Sequence, residues 1–80
     1  MIKMYLTSVI TPTKTKAVAV SPSEDTAKRI ARYTLRAEMN DADCHPEDII
    51  ETLLNFRSPC GRWRISTDSV EFFGDSQWPS

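Results

Sequence analysis

The tetrapeptide Ser21-Pro22-Ser23-Glu24 separates two incompatible periodicities, and that break constrains the fold more than any other feature of the chain. Before it, Ile2–Ile10 alternates with a period of two, with Ile2, Met4, Leu6 and Ile10 on one side and Lys3, Tyr5, Thr7 and Val9 on the other, as a strand does. Thr11-Pro12-Thr13-Lys14 is turn chemistry, and Thr15–Val20, which follows, reads as a second strand closing a hairpin. At the break, Ser21 is placed to cap a helix, Pro22 to occupy its first position, where a missing N–H costs nothing, and Glu24 to complete a capping box. Beyond it the spacing becomes helical to about Met39, with Ala27, Ile30, Ala31, Thr34, Leu35 and Met39 as the buried stripe. Glu24 with Lys28 and Asp25 with Arg29 form i, i+4 pairs on the solvent side, and Arg32 and Arg36 have no acid four positions before them.

Asn40–Asp43 interrupts this pattern, and Cys44-His45-Pro46-Glu47-Asp48 predicts a second, shorter helix with Ile49, Ile50, Leu53 and Leu54 as its buried stripe. Arg57-Ser58-Pro59-Cys60-Gly61 ends that helix. Arg62–Thr67 and Val70–Phe73 alternate again, and Thr67-Asp68-Ser69 would join them as a hairpin. The expected architecture is therefore α+β in the order ββααββ: a four-stranded antiparallel sheet with two helices packed on one face. Eighty residues with 40% hydrophobic and 26% charged side chains accommodate one such domain, assigned to residues 1–73, with 74–80 a C-terminal tail unless Trp78 packs back. The longest apolar run, Ala17–Val20, is far short of the roughly 20 residues a membrane-spanning helix needs. Met1–Ile10 has neither the basic nor the long apolar region of a signal peptide, so we expect a cytoplasmic protein that does not engage membranes.

The formal net charge of −1 conceals a separation of sign. Between Ala37 and Phe56 stand Glu38, Asp41, Asp43, Glu47, Asp48 and Glu51 with no Lys or Arg, giving that segment −6. The rest of the chain holds all ten basic residues against five acids, giving +5. Two candidate interfaces of opposite sign follow: this acidic block, and a basic face on the first helix formed by Lys28, Arg29, Arg32, Tyr33 and Arg36. A compact carboxylate block imitates a run of phosphates and suits a partner with a lysine-rich or arginine-rich groove. The basic ridge with its interleaved Tyr33 fits nucleic acid, although a sequence pI of about 5.7 lies well below that of typical nucleic-acid-binding domains.

Reactive groups are few. Cys44 and Cys60 read as two reduced thiols in a chain with no export signal. With His45 and Asp41 or Asp43 they supply metal-ligand atom types, but not the paired spacing of a zinc site. Asp41-Ala42-Asp43 opens like a calcium loop, yet Pro46 and Thr52 stand where that loop needs Gly and Glu. Two glycines, Gly61 and Gly74, make no phosphate-binding loop. A thiol or metal enzyme built on Cys44, Cys60 and His45 ranks third, behind a protein-binding module and a nucleic-acid-binding module, and no cofactor or metal is expected.

The strand Ile2-Lys3-Met4-Tyr5-Leu6, the capped helix from Ser21-Pro22-Ser23-Glu24 through Asp25-Thr26-Ala27-Lys28-Arg29-Ile30-Ala31, and the closing aromatic hairpin expected at Arg62-Trp63-Arg64-Ile65 together resemble the small anti-CRISPR proteins of phages and mobile elements. The resemblance lies in size, element order and charge character. It implies a non-enzymatic inhibitor in the host cytoplasm that binds a CRISPR-Cas ribonucleoprotein complex and blocks DNA access or nuclease recruitment.

Overall fold

The computed structural model describes residues 2–72 as β1 (Ile2–Ile10), β2 (Thr15–Ser21), α1 (Glu24–Asp41), α2 (Pro46–Asn55) and β3 (Arg64–Phe72). The strands form one antiparallel sheet in the order β2-β1-β3, which places the first strand in the middle. The α+β class agrees with expectation, whereas the four-stranded ββααββ sheet does not. Thr67-Asp68-Ser69 is no turn: Thr67 pairs with Thr7, Asp68 with Leu6 and Ser69 with Tyr5, in a ladder unbroken from Ile10↔Arg64 to Ile2↔Phe72. These residues include no Gly or Pro to demand a special backbone angle, and polar side chains suit a strand at the edge of a sheet. Phe73 and the expected tail, Trp78 included, lie outside the described residues.

The β1–β2 hairpin forms as read. Thr11 closes its loop, its N–H donating to the Lys14 carbonyl at 2.8 Å and its Oγ1 accepting from the amides of Thr13 and Lys14. A bulge opposite Thr7 and Ser8 leaves Val18 without a register partner, and Val18 packs against the core instead.

The helix begins two residues later than its sequence signal. Ser21 is the last residue of β2, buried, with its Oγ accepting from the Ser23 amide, and Ser23 is the cap, accepting from the Thr26 amide at 3.3 Å. Pro22 has no donor to continue the ladder, so it ends the strand rather than starting the helix. The buried stripe of α1 is narrower than expected. Ala27, Ala31, Leu35 and Met39 recur every four residues and are fully buried, while Thr34 is half-buried and Ile30 exposed. The two alanines let the helix approach the sheet closely enough for the Thr7 hydroxyl to donate to the Ala27 carbonyl at 2.9 Å.

The helices do not both lie on the sheet. α1 packs on all three strands, and α2 packs chiefly on α1. The core joins Val9, Ala31, Leu35, Met39 and Ile49, flanked by Val18, Cys44, Leu53, Trp63 and Ile65. Of the four residues expected to form the buried stripe of α2, Ile49 is buried and Leu53 half-buried, but Ile50 and Leu54 are 59% and 74% exposed. Thr52 takes the inward place, its hydroxyl donating to the Asp48 carbonyl. At 100° per residue, Ile49, Ile50, Leu53 and Leu54 span about 140° of the helix surface, more than a ten-residue helix leaning on one neighbour can cover.

Candidate interaction groove between the helices

Arg29, Arg32, Tyr33 and Arg36 follow the i, i+3, i+4, i+7 spacing of one helical face, and the structure brings them together with Leu53 of α2 around a concavity of 210 Å³. A neighbouring concavity of 420 Å³ shares Arg36 and Leu53 and extends past Ile50, Ile49 and Cys44, so the two form one groove between the helices. Its walls are cationic on the α1 side and apolar on the α2 side. Tyr33, 67% exposed, lines its α1 side, and Ile50, 59% exposed, its α2 side.

Phe56 anchors the α1 wall. Its backbone is left-handed, with φ 58°, and it caps the C-terminus of α2. That conformation costs a non-glycine residue about 1–2 kcal/mol. Offsetting it, the ring lies beneath the Arg32 guanidinium at 4.7 Å and the Lys28 ammonium at 5.4 Å. Lys28 also binds Glu24 at 2.8 Å, the i, i+4 pair read from the sequence. The companion pair of Asp25 with Arg29 is not made: the ion pairs among the described residues are Lys28–Glu24 and Lys14–Glu38. Arg29, Arg32 and Arg36 therefore line the groove with no carboxylate partner among the described residues.

The acidic block does not gather on one surface. Glu38 lies 3.4 Å from Lys14 and, with Asp41, lines a separate concavity beside Trp63 and the hairpin loop. Both acids sit in the last turns of α1, where the helix end carries partial negative charge and no basic residue answers it within the helix. Asp43 occupies the interhelical turn with φ 55°. Glu47, Asp48 and Glu51 are exposed on α2, and Asp48 borders a third region, the cavity of 140 Å³ that Cys44 and Cys60 share.

The two thiols differ in character. Cys60, exposed on the turn after Pro59, has its Sγ 3.2 Å from the Ser58 hydroxyl. That hydrogen bond, with the Arg62 amide and charge, holds its pKa below the ordinary thiol value. Burial pushes the Cys44 thiol up, and the nearby Asp48 carboxylate adds to the effect. Ser58 fixes this turn, donating its N–H to the Trp63 carbonyl at 2.8 Å and accepting the Trp63 amide on its Oγ. His45 precedes α2 as its cap residue without a side-chain capping bond. Among the described residues, no three His, Cys, Asp or Glu side chains converge as a metal-binding group.

Sequence reasoning identified the basic wall but not the apolar one: Leu53 does pack against the core as expected, but it also lines the groove, and Ile50, assigned to the core, lines the groove exposed. The signal available was the excess width of their stripe. No described helix is long and apolar enough to cross a membrane. Comparison with protein-family models, curated proteins and solved structures finds no significant match.

Proposed function

We propose that the protein is a non-enzymatic interaction protein of the cytoplasm whose principal interface is the groove between α1 and α2. The observation that carries this reading is the convergence of Arg29, Arg32, Tyr33 and Arg36 on Leu53, with the three arginines outside both ion pairs. Arg and Tyr are enriched among the few residues that dominate binding energy in protein interfaces, and an apolar floor beneath them excludes water from the contact. The partner that fits is a protein surface bearing carboxylates around an apolar projection. The resemblance drawn from the sequence narrows this to inhibition of a CRISPR-Cas ribonucleoprotein complex by preventing nuclease recruitment or DNA access. Glu47, Asp48 and Glu51 offer that complex a second, acidic contact on α2.

The test is co-purification of tagged protein with a CRISPR surveillance complex, and loss of target-DNA cleavage, for the wild type and two sets of variants. Arg29→Glu, Arg32→Glu and Arg36→Glu together should abolish both effects while the far-ultraviolet circular dichroism stays native. Glu47→Lys, Asp48→Lys and Glu51→Lys together test the second contact. Undiminished binding in both sets rejects the proposal.

A nucleic-acid reading draws on one observation, the exposed Tyr33 ring among three arginines, an arrangement that stacks bases. It requires binding to RNA or DNA alone whose affinity falls with salt, with a slope reduced by about 1 for each arginine neutralised. Affinity that survives nuclease treatment of the partner favours the protein interface.

A further inference from the structure

We propose that Cys44 and Cys60 form a peroxide-sensing thiol pair: hydrogen peroxide oxidises Cys60, and Cys44 then closes a disulfide that ties together the two ends of α2. The two cysteines are free thiols and line one cavity of 140 Å³ from different segments. Cys44 lies in the turn between the helices, where its N–H donates to the Met39 carbonyl at 3.0 Å. Cys60 lies on the turn after α2, which the Gly61 amide closes on the Ser58 carbonyl at 2.9 Å. The space they share is open rather than packed with side chains, so the exposed Cys60 side chain has room to turn toward Cys44.

Their surroundings divide the roles. Cys60 is open to solvent, with its Sγ 3.2 Å from the Ser58 hydroxyl and the Arg62 amide also donating to it. An exposed sulfur whose thiolate is held by hydrogen bonds is the one that attacks a peroxide. Cys44 is half-buried and keeps its proton, because burial and then the Asp48 and Cys60 charges oppose a second thiolate there. An accessible, readily ionised thiol beside a sheltered one is the arrangement of an attacking and a resolving cysteine.

In the first step the Cys60 thiolate attacks one oxygen of hydrogen peroxide. The S–O bond forms, the O–O bond breaks, the sulfur is oxidised by two electrons to the sulfenic acid, and the departing hydroxide takes up a proton to become water. In the second, the Cys44 sulfur attacks the Cys60 sulfur. The S–S bond forms, the S–O bond breaks, and the leaving hydroxide takes the Cys44 proton as a second water. Two thiols and one peroxide thus give one disulfide and two waters. The closed loop holds the whole of α2, Pro46–Asn55, a helix that packs chiefly on α1. Constraining that loop restricts the unfolded chain, so the oxidised protein is the more stable form.

Oxidation of the reduced full-length chain with one equivalent of hydrogen peroxide at neutral pH, read by mass spectrometry, tests the proposal. The chain should lose two hydrogens without gaining oxygen, and the tryptic peptides Ala37–Arg57 and Ser58–Arg62 should be recovered joined until dithiothreitol separates them. The melting temperature of the oxidised chain should exceed that of the reduced chain by about 5 °C or more. Cys44→Ser should leave Cys60 as a sulfenic acid that dimedone captures. Cys60→Ser, at an exposed turn position, should slow peroxide consumption about tenfold or more. Two intact thiols after treatment that oxidises free glutathione overturn the proposal. So does oxygen added to Cys60 with Cys44 still reduced, or a disulfide that joins two chains instead.

Discussion

The hydroxyl of Thr7, in the middle of the central strand, donates to the main-chain carbonyl of Ala27 in the first full turn of α1 at 2.9 Å, with both residues buried. Twenty positions apart in sequence, they fix how far along the sheet the helix sits. Thr7→Val keeps the shape and removes the donor, so it should cost about 1 kcal/mol, the net worth of one buried hydrogen bond. For a domain of this size that lowers the melting temperature by about 4–8 °C. Thr7→Ala adds a cavity and should cost more. Thermal unfolding followed by circular dichroism orders the two.

The apolar residues of α2 should separate into two classes. Ile49→Ala removes a core side chain and should cost about 2–4 kcal/mol in urea unfolding. Ile50→Ala and Leu54→Ala, both at exposed positions, should stay within about 0.5 kcal/mol and instead weaken partner binding. A costly Leu54→Ala would place that side chain in the core.

The stacking of Arg32 on Phe56 should appear as a coupling. In a double-mutant cycle of Arg32→Ala and Phe56→Leu, we expect an interaction of about 0.5–1 kcal/mol. Phe56→Gly should recover part of its loss through relief of the left-handed backbone, leaving it more stable than Phe56→Ala.

The thiols should be kinetically distinct. Cys60 is stabilised as thiolate by the Ser58 hydroxyl, so alkylation by iodoacetamide should label it before Cys44, with the rate rising through a midpoint below that of an ordinary thiol. Ser58→Ala removes the cause and should move the midpoint upward. Cys44, raised by burial and Asp48, should react at alkaline pH, and Asp48→Asn should bring its midpoint down. Peptide mapping after timed quenching reads both sites.

Local chemistry was legible in the sequence where it was self-contained. The hairpin loop, the proline-led start of α2, the Glu24–Lys28 pair and the arginine ridge each depend on residues within one or two turns of each other. Long-range choices were not. Whether Thr67-Asp68-Ser69 turns or continues depends on β1 lying alongside, and that is decided by residues some sixty positions away. Which end of the α2 stripe is covered depends on the angle at which α1 meets it, so Thr52 and Leu54 exchanged roles. Ser21, read as the helix cap, is instead held in register with Tyr5 by the ladder, and the cap passes to Ser23.

The central position of β1 has a kinetic consequence. Its pairing with β2 closes a short loop, but its other edge waits for β3, across separations that run from Ile10↔Arg64 to Ile2↔Phe72. Loops that long give high contact order, which places folding on the millisecond-to-second scale of sheet-dominated domains rather than the microseconds of helical bundles. On the ribosome, the hairpin and α1 can form while one full edge of β1 still offers unpaired amides and carbonyls. The chain is then most exposed to strand-to-strand aggregation late in its synthesis, just before β3 emerges.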